Sequence, residues 1–124
     1  EYAVALRGAE SVLREAARVF DEHERDPENK ALQDELILSV ATARAHSDAA
    51  SLKISSDLFS LLGASASLSK WNLDRFWRNA RVHTTHDPIR WRLHNVGNYY
   101  LNGVDPGEYT AVLNAKETQG ATRR

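Results

Sequence analysis

An all-α fold, an antiparallel bundle of three to four helices, is what this 124-residue sequence predicts. Three observations carry the prediction. Apolar residues recur at helical spacing over two long stretches. Proline, glycine and capping residues fall where those stretches end. The strict apolar and polar alternation of a half-buried strand is absent, as are internal repeats and low-complexity tracts.

The first helix is written by Tyr2, Leu6, Ala9, Leu13, Ala16 and Phe20, which share one helical face. It should stop near Asp26, because the residue before Pro27 is disfavoured in the α conformation. A longer face follows at Leu32, Leu36, Val40, Ala43, Ser47, Ala50, Ile54, Leu58 and Leu61, averaging about 3.6 residues per step. Gly63, which opens "GASAS", is expected to end it in the left-handed conformation. Unbroken, this helix is about 50 Å long at about 1.5 Å per residue. Its middle is rich in small residues (Ala41, Ala43, Ala45, Ser47, Ala49, Ala50, Ser51), so a neighbouring helix can approach closely.

The third helix is expected to begin with Ser69 as N-cap and to run through "KWNLDRFWRNARVHTTH", with Leu73, Trp77, Ala80 and Thr84 on one face. A fourth should begin with Asp87 as N-cap and Pro88 at the first helical position, and it carries Ile89, Leu93 and Val96. Residues 1–103 are therefore expected to form the bundle. From Gly103 onward turn residues and weak periodicity predict a mostly irregular tail over 104–124.

Hydrophobic residues make up 42% and charged residues 27% of the chain, a composition of soluble globular proteins. No apolar run approaches the roughly 20 residues that cross a bilayer, and no signal-peptide pattern opens the chain. A cytoplasmic location is the default expectation. The chain has no cysteine, which removes disulfides, thiolate nucleophiles and cysteine metal sites, in keeping with a reducing compartment. Charge is sorted along the chain: residues 1–35 hold ten acids and five bases, residues 70–94 six bases and two acids. The helical pattern starts at once, without a capping residue before Tyr2, and we expect a piece cut from a longer chain.

His83, His86 and Asp87 stand three and four residues apart, so one side of a helix could present all three. A zinc or iron site needs at least three protein ligands, and the remaining histidines, His23, His46 and His94, show no paired spacing that would supply a second half. No serine sits in a GxSxG-type turn, so a serine triad is unsupported. Asp87 alone reads first as a helix cap. Held by backbone N–H groups, it could still orient an imidazole. His83 and His86 lie where a helix C-terminus favours cations, and spacing alone leaves their roles open. Lys70, Arg75, Arg78, Arg81, Arg90 and Arg92, interleaved with Trp71, Phe76, Trp77 and Trp91, have the look of a nucleic-acid surface. The preferred reading puts the aromatics in the core and pairs the arginines with the acidic first helix.

"LDRFWRNARVHTTHDPIRWRLHNVGNYYLNG", residues 73–103, strongly resembles the C-terminal signature of flavin-dependent monooxygenases built on the acyl-CoA dehydrogenase fold, the group that includes the dibenzothiophene-desulfurising monooxygenase. "ISSDLFSLLGASAS", residues 54–67, resembles the same family's helix end and glycine turn. The resemblance implies an N-terminal helical domain, a middle β-domain and a C-terminal four-helix bundle that forms tetramers, of which this chain is most of the bundle without its first helix. It implies that reduced flavin, FMN or FAD, supplied by a separate reductase, reacts with O₂ to a C4a-hydroperoxide that oxygenates a small organic substrate. Carried over, the flavin-supporting histidine is His86, with Asp87 beside it and His83 near. The turn Gly63, Ala64 and Ser65 matches a region that approaches the flavin across a subunit interface. A relative with arginine in place of Ser65 gains a phosphate contact that this chain lacks there.

Acyl-CoA dehydrogenases proper carry tyrosine, glutamate and glycine where this chain has His86, Asp87 and Pro88, and that glutamate is often the base. Asp87 is one methylene shorter, so an acyl-CoA dehydrogenase or oxidase with Asp87 as base is the second reading. A helical assembly or nucleic-acid-binding module without enzymatic activity is the third. In the first reading the partners are substrate, O₂ and reductase, with neither nucleic acid nor membrane, and the 124-residue piece alone is expected to be inactive.

Overall fold

The structure, a computed structural model, describes residues 1–86 and 88–108. Its helices are α1 (Tyr2–Arg25), α2 (Lys30–Leu62), α3 (Asp74–His86) and α4 (Ile89–Asn102), with a 3-10 turn at Ala64–Ser67 between α2 and α3. No strand occurs among the described residues. Residues 106–108 are helical, and the remainder of the expected tail, 109–124, lies outside the described residues. No helix among the described residues is long and apolar enough to cross a membrane.

Local chemistry explains most of the boundaries. Asn29 caps α2 by accepting from the backbone N–H groups of Ala31 and Leu32 at 3.1 and 3.3 Å, which satisfies two of the donors that every helix start leaves open. α2 then runs unbroken to Leu62. Gly63 stops it with φ 75° and ψ −178°. This is an extended conformation at positive φ that glycine alone adopts readily, not the left-handed helical one expected. The left-handed cap is instead Gly103, at φ 66° and ψ 23°, whose N–H donates to Tyr99 O at the end of α4.

Two expected helix starts move. Ser69 does not cap α3: Trp71 N donates to Leu68 O and Asn72 N to Ser69 O, two successive tight turns, and Asn72 sits at φ 47°. An asparagine at positive φ breaks a right-handed run, so α3 begins only at Asp74. Pro88 takes the cap position of α4 rather than its first helical position, with Trp91 N donating to its carbonyl at 3.1 Å. The expected N-cap, Asp87, lies outside the described residues.

α2 is the axis of the fold, and it contacts α1, α3 and α4. At its C-terminal end Lys53 reaches Glu1 at 3.2 Å and Asp57 at 2.8 Å, so α1 runs antiparallel to it. At its N-terminal end Lys30 pairs with Asp34 and with Asp105 beyond α4. α3 and α4 therefore follow one another along α2, in the direction opposite to it, α3 ending at His86 and α4 starting at Ile89. The result is three helical layers, with α2 in the middle.

The burial pattern corrects two expectations. On α1 the buried residues are Ala9, Ala16 and Val19, while Leu6, Leu13 and Phe20 of the expected face remain about half exposed. Small side chains at 9 and 16 let the α1 and α2 axes come close, which turns the bulkier residues of the stripe outward. The aromatics of the basic segment are not core either: Trp71, Phe76, Trp77 and Trp91 are all exposed. Lys70, Arg75, Arg81 and Arg90 each lie over one of these rings, at 4.8 to 5.7 Å from its centroid. Arg78 pairs with Asp74 of its own helix and not with α1, where Arg18 takes Glu15 and Glu22.

Beyond α4 the chain folds back onto the bundle. Buried Asn95 donates from Nδ2 to the carbonyl of buried Pro106 at 3.1 Å. Asp105 accepts from Lys30 Nζ at 3.0 Å and from Gly107 N at 2.7 Å. The Lys30 bond, with help from Gly107, holds the Asp105 carboxyl below its ordinary value. A carboxylate depressed in the folded state contributes stability above its unfolded value and loses it as pH falls through the folded one. A carboxyl NMR titration should therefore place the Asp105 midpoint on the acid side of an unperturbed aspartate, and Lys30→Met should move it back up. A midpoint insensitive to Lys30 would show that the clasp does not form in solution.

Candidate functional site

The last turn of α3 carries the sequence's candidate histidines, and its hydroxyls are occupied within the helix. Thr84 Oγ1 donates to Arg81 O at 2.9 Å, and Thr85 Oγ1 donates to Arg81 O and Val82 O at 3.1 and 3.0 Å. This leaves the imidazoles as the chemically available groups. His86 is exposed, and its ring forms no hydrogen bond or ion pair among the described residues. The His83 side chain is 65% exposed and places Nε2 at 3.8 Å from Asp48 Oδ1.

Asp48 is the residue that periodicity did not single out. Its side chain is 4% exposed in the middle of α2, and its Oδ2 lies 3.3 Å from Arg44 Nε. A carboxylate so far from water is tolerable when a cation and hydrogen bonds compensate it. Its second oxygen, Oδ1, is buried with no hydrogen-bond partner. Arg44 does more than neutralise: its Nη2 donates to His83 O at 3.0 Å, across to α3. A signal was present in the sequence, since Arg44 and Asp48 form an i,i+4 charge pair inside a run of alanines and serines.

Between α2, α3 and α4 an open cleft of about 280 Å³ is lined by Ala45, Asp48 and Leu52, by Arg81 and Thr84, and by Ile89 and Leu93. The break between α3 and α4 thus opens onto a mostly apolar wall with one buried carboxylate. Gly63, Ala64 and Ser65 lie elsewhere. They form the turn before α3, where Ser65 lines a second cleft with Leu62, Ala66, Trp71 and Leu73. α3 itself, 13 residues and so about 20 Å long, stands between them and His86. Two of the expected site residues, His83 and His86, are brought together, the turn residues are not, and Asp87 lies outside the described residues. Among the described residues no three histidine, aspartate or glutamate side chains gather to hold a metal ion.

The family model for the acyl-CoA dehydrogenase C-terminal domain matches residues 1–91, from α1 through the histidine-bearing break. The chain belongs to that family. Among curated relatives of this acyl-CoA dehydrogenase C-terminal domain, the dibenzothiophene monooxygenase of Rhodococcus erythropolis is 38% identical over 111 residues, covering 86% of this chain and 26% of the relative. A probable FMNH2-dependent monooxygenase, SfnC, of Pseudomonas putida is 32% identical over 111 residues, covering 86% of this chain and 27% of the relative. Among solved structures, FMN-bound TdsC from Paenibacillus sp. A11-2 superposes with a TM-score of 0.77 at 34% identity, covering 86% of this chain and 27% of that one. The domain therefore spans about a quarter of the length of the curated relatives it matches.

Proposed function

We propose that this chain is the C-terminal domain of a two-component flavin-dependent monooxygenase, which uses reduced flavin and O₂ to oxygenate a small organic substrate. The observation that carries the reading is that family membership and likeness to proteins named as monooxygenases extend over the α1 to α3 frame that ends in His83 and His86. FMN is the favoured flavin over FAD, because one relative is named for FMNH2 and another is described with FMN bound. Reduced flavin coming from elsewhere implies a separate reductase as the functional partner.

The chain's own donors suit a flavin. His86 presents an imidazole at a helix end with no competing partner among the described residues, and Asp87 next to it supplies a carboxylate. Gly63, Ala64 and Ser65 are proposed to meet a different flavin, since α3 stands between them and His86. That division suits an assembly in which each subunit walls its neighbour's site. The half-exposed Leu6, Leu13 and Phe20 of α1 form an apolar stripe that such a homotetramer would cover. We place the enzyme in the cytoplasm, where a reductase can reach it. When bound, reduced flavin supplies the two electrons that activate O₂. This chain supplies a hydrogen-bonding and proton-holding group at the His86 ring, and the apolar wall of Leu52, Ile89 and Leu93.

The test is an assay of the full-length protein with FMN, a flavin reductase, O₂ and dibenzothiophene as probe. Oxygenated product that depends on the reductase is the expected result. Dye reduction by an acyl-CoA with no reductase present would replace this reading by a dehydrogenase with Asp87 as base. Salt-sensitive binding to DNA without flavin binding would replace it by a nucleic-acid module.

A further inference from the structure

We propose that Arg44 and Asp48 are positioning residues that fix the histidine-bearing end of α3, and through it the placement of His86. That Arg44 and Asp48 hold the helix end rests on geometry alone. That His86 is thereby set for the reaction rests on the monooxygenase reading above.

A helix leaves the carbonyls at its C-terminal end short of partners inside the helix, and His83 lies in the last turn of α3, which ends at His86. Arg44 Nη2 meets that carbonyl at 3.0 Å from the neighbouring helix. The charge sign is also right, because a cation at a helix C-terminus is favoured by the macrodipole. Asp48, 4% exposed, holds the same guanidinium through Nε at 3.3 Å. The planar fork of arginine can thus serve a carboxylate on α2 and a carbonyl on α3 at once, which the single ammonium of lysine cannot reproduce.

The His83 ring is not what Asp48 holds. Its Nε2 stands 3.8 Å from Oδ1, too far for a hydrogen bond, and Oδ1 is left without one. The other charged group on the cleft wall is Arg81 of α3, and α4 contributes the apolar Ile89 and Leu93. The bridge from Asp48 through Arg44 to the backbone is therefore a polar tie between α2 and this turn. His86 follows His83 by one helical turn, so a turn that slips at 83 displaces the ring at 86.

The experiment compares Arg44→Lys and Asp48→Asn with the parent in the full-length protein by two readouts. Amide hydrogen exchange of peptides covering residues 83–86 should speed up by about tenfold in both variants, the size expected for losing a hydrogen bond to a charged group, while peptides from α1 stay unchanged. Unaltered exchange at 83–86 would overturn the proposal. In the reductase-coupled assay, flavin oxidation should continue while product per O₂ consumed falls about tenfold in Arg44→Lys. The missing product should be matched by hydrogen peroxide, as two electrons and two protons pass from reduced flavin to O₂. Faster exchange with unchanged product per O₂ would overturn the placement of His86. Absence of oxygenation in the parent would sink the monooxygenase reading instead, with the exchange result still deciding the helix-end role. Should Asp48→Asn not fold, Arg44→Lys carries both readouts, since its side chain is nearer the surface.

Discussion

On the monooxygenase reading, His86→Ala in the full-length protein should lower substrate oxygenation by about 10²- to 10⁴-fold, the range lost when a side chain placed for proton transfer or hydrogen bonding is removed. The loss should fall on product formation and not on the fold. The ring is exposed at the end of α3 and has no partner among the described residues, so its removal leaves no cavity and no orphaned buried group. Surface changes of this kind usually alter stability by less than about 0.5 kcal/mol, and the melting temperature should be that of the parent. His83→Ala should also leave folding intact, with a smaller loss of product, because His83 contributes its carbonyl to the Arg44 bridge and alanine keeps that carbonyl. Reductase-coupled turnover, read as product and hydrogen peroxide separately, checks both variants. Parent-like oxygenation by His86→Ala would remove this residue from the site.

Much of the frame was legible because its signals are local. Pro27 after one helical run and Gly63 after the next are statements about a few neighbouring backbone groups, and α1 and α2 end where those residues stand. What could not be read was which of two adjacent apolar stripes turns inward. On α2 the expected stripe includes Ala43 and Ala50, both buried, but Leu38, Ala41, Asp48 and Ser55 are buried as well. A helix packed on two sides has no single apolar face, so periodicity reports only half of its contacts. The same cause hid Asp48. A charged residue between Ser47 and Ala49 reads as solvent-facing until the returning α3 covers it. The histidines were legible as candidates, whereas their separation from Gly63, Ala64 and Ser65 depends on α3 standing between the two ends, which no spacing reports. Asn72, which delays α3 to Asp74, acts through one unusual backbone angle that its side chain permits without demanding.

The choice between stripes has a measurable consequence in Leu38→Ala compared with Leu13→Ala. Leu38 is 3% exposed and lines a cleft of about 150 Å³ with Val12 of α1 and Tyr100 of α4. Truncating a leucine in such a place removes its transfer free energy and leaves a cavity that three helices cannot all close, for a cost of about 2–5 kcal/mol. Leu13 belongs to the stripe that periodicity picked out, yet it is 57% exposed. Alanine there should change stability by less than about 0.5 kcal/mol, and alanine's better helix propensity offsets part even of that. Urea unfolding of this chain checks the pair: the midpoint should fall for Leu38→Ala at unchanged slope, which marks a loss of stability and not of compactness, and should stay in place for Leu13→Ala. The contrast depends on the assembly state. In the full-length protein a tetramer contact over α1 would make Leu13→Ala weaken association, visible as a concentration-dependent shift, while Leu38→Ala would keep its cost at every concentration. Equal midpoint losses in the chain alone would mean that α1 turns the Leu6, Leu13 and Phe20 stripe toward α2, and the burial pattern at Ala9, Ala16 and Val19 would be wrong.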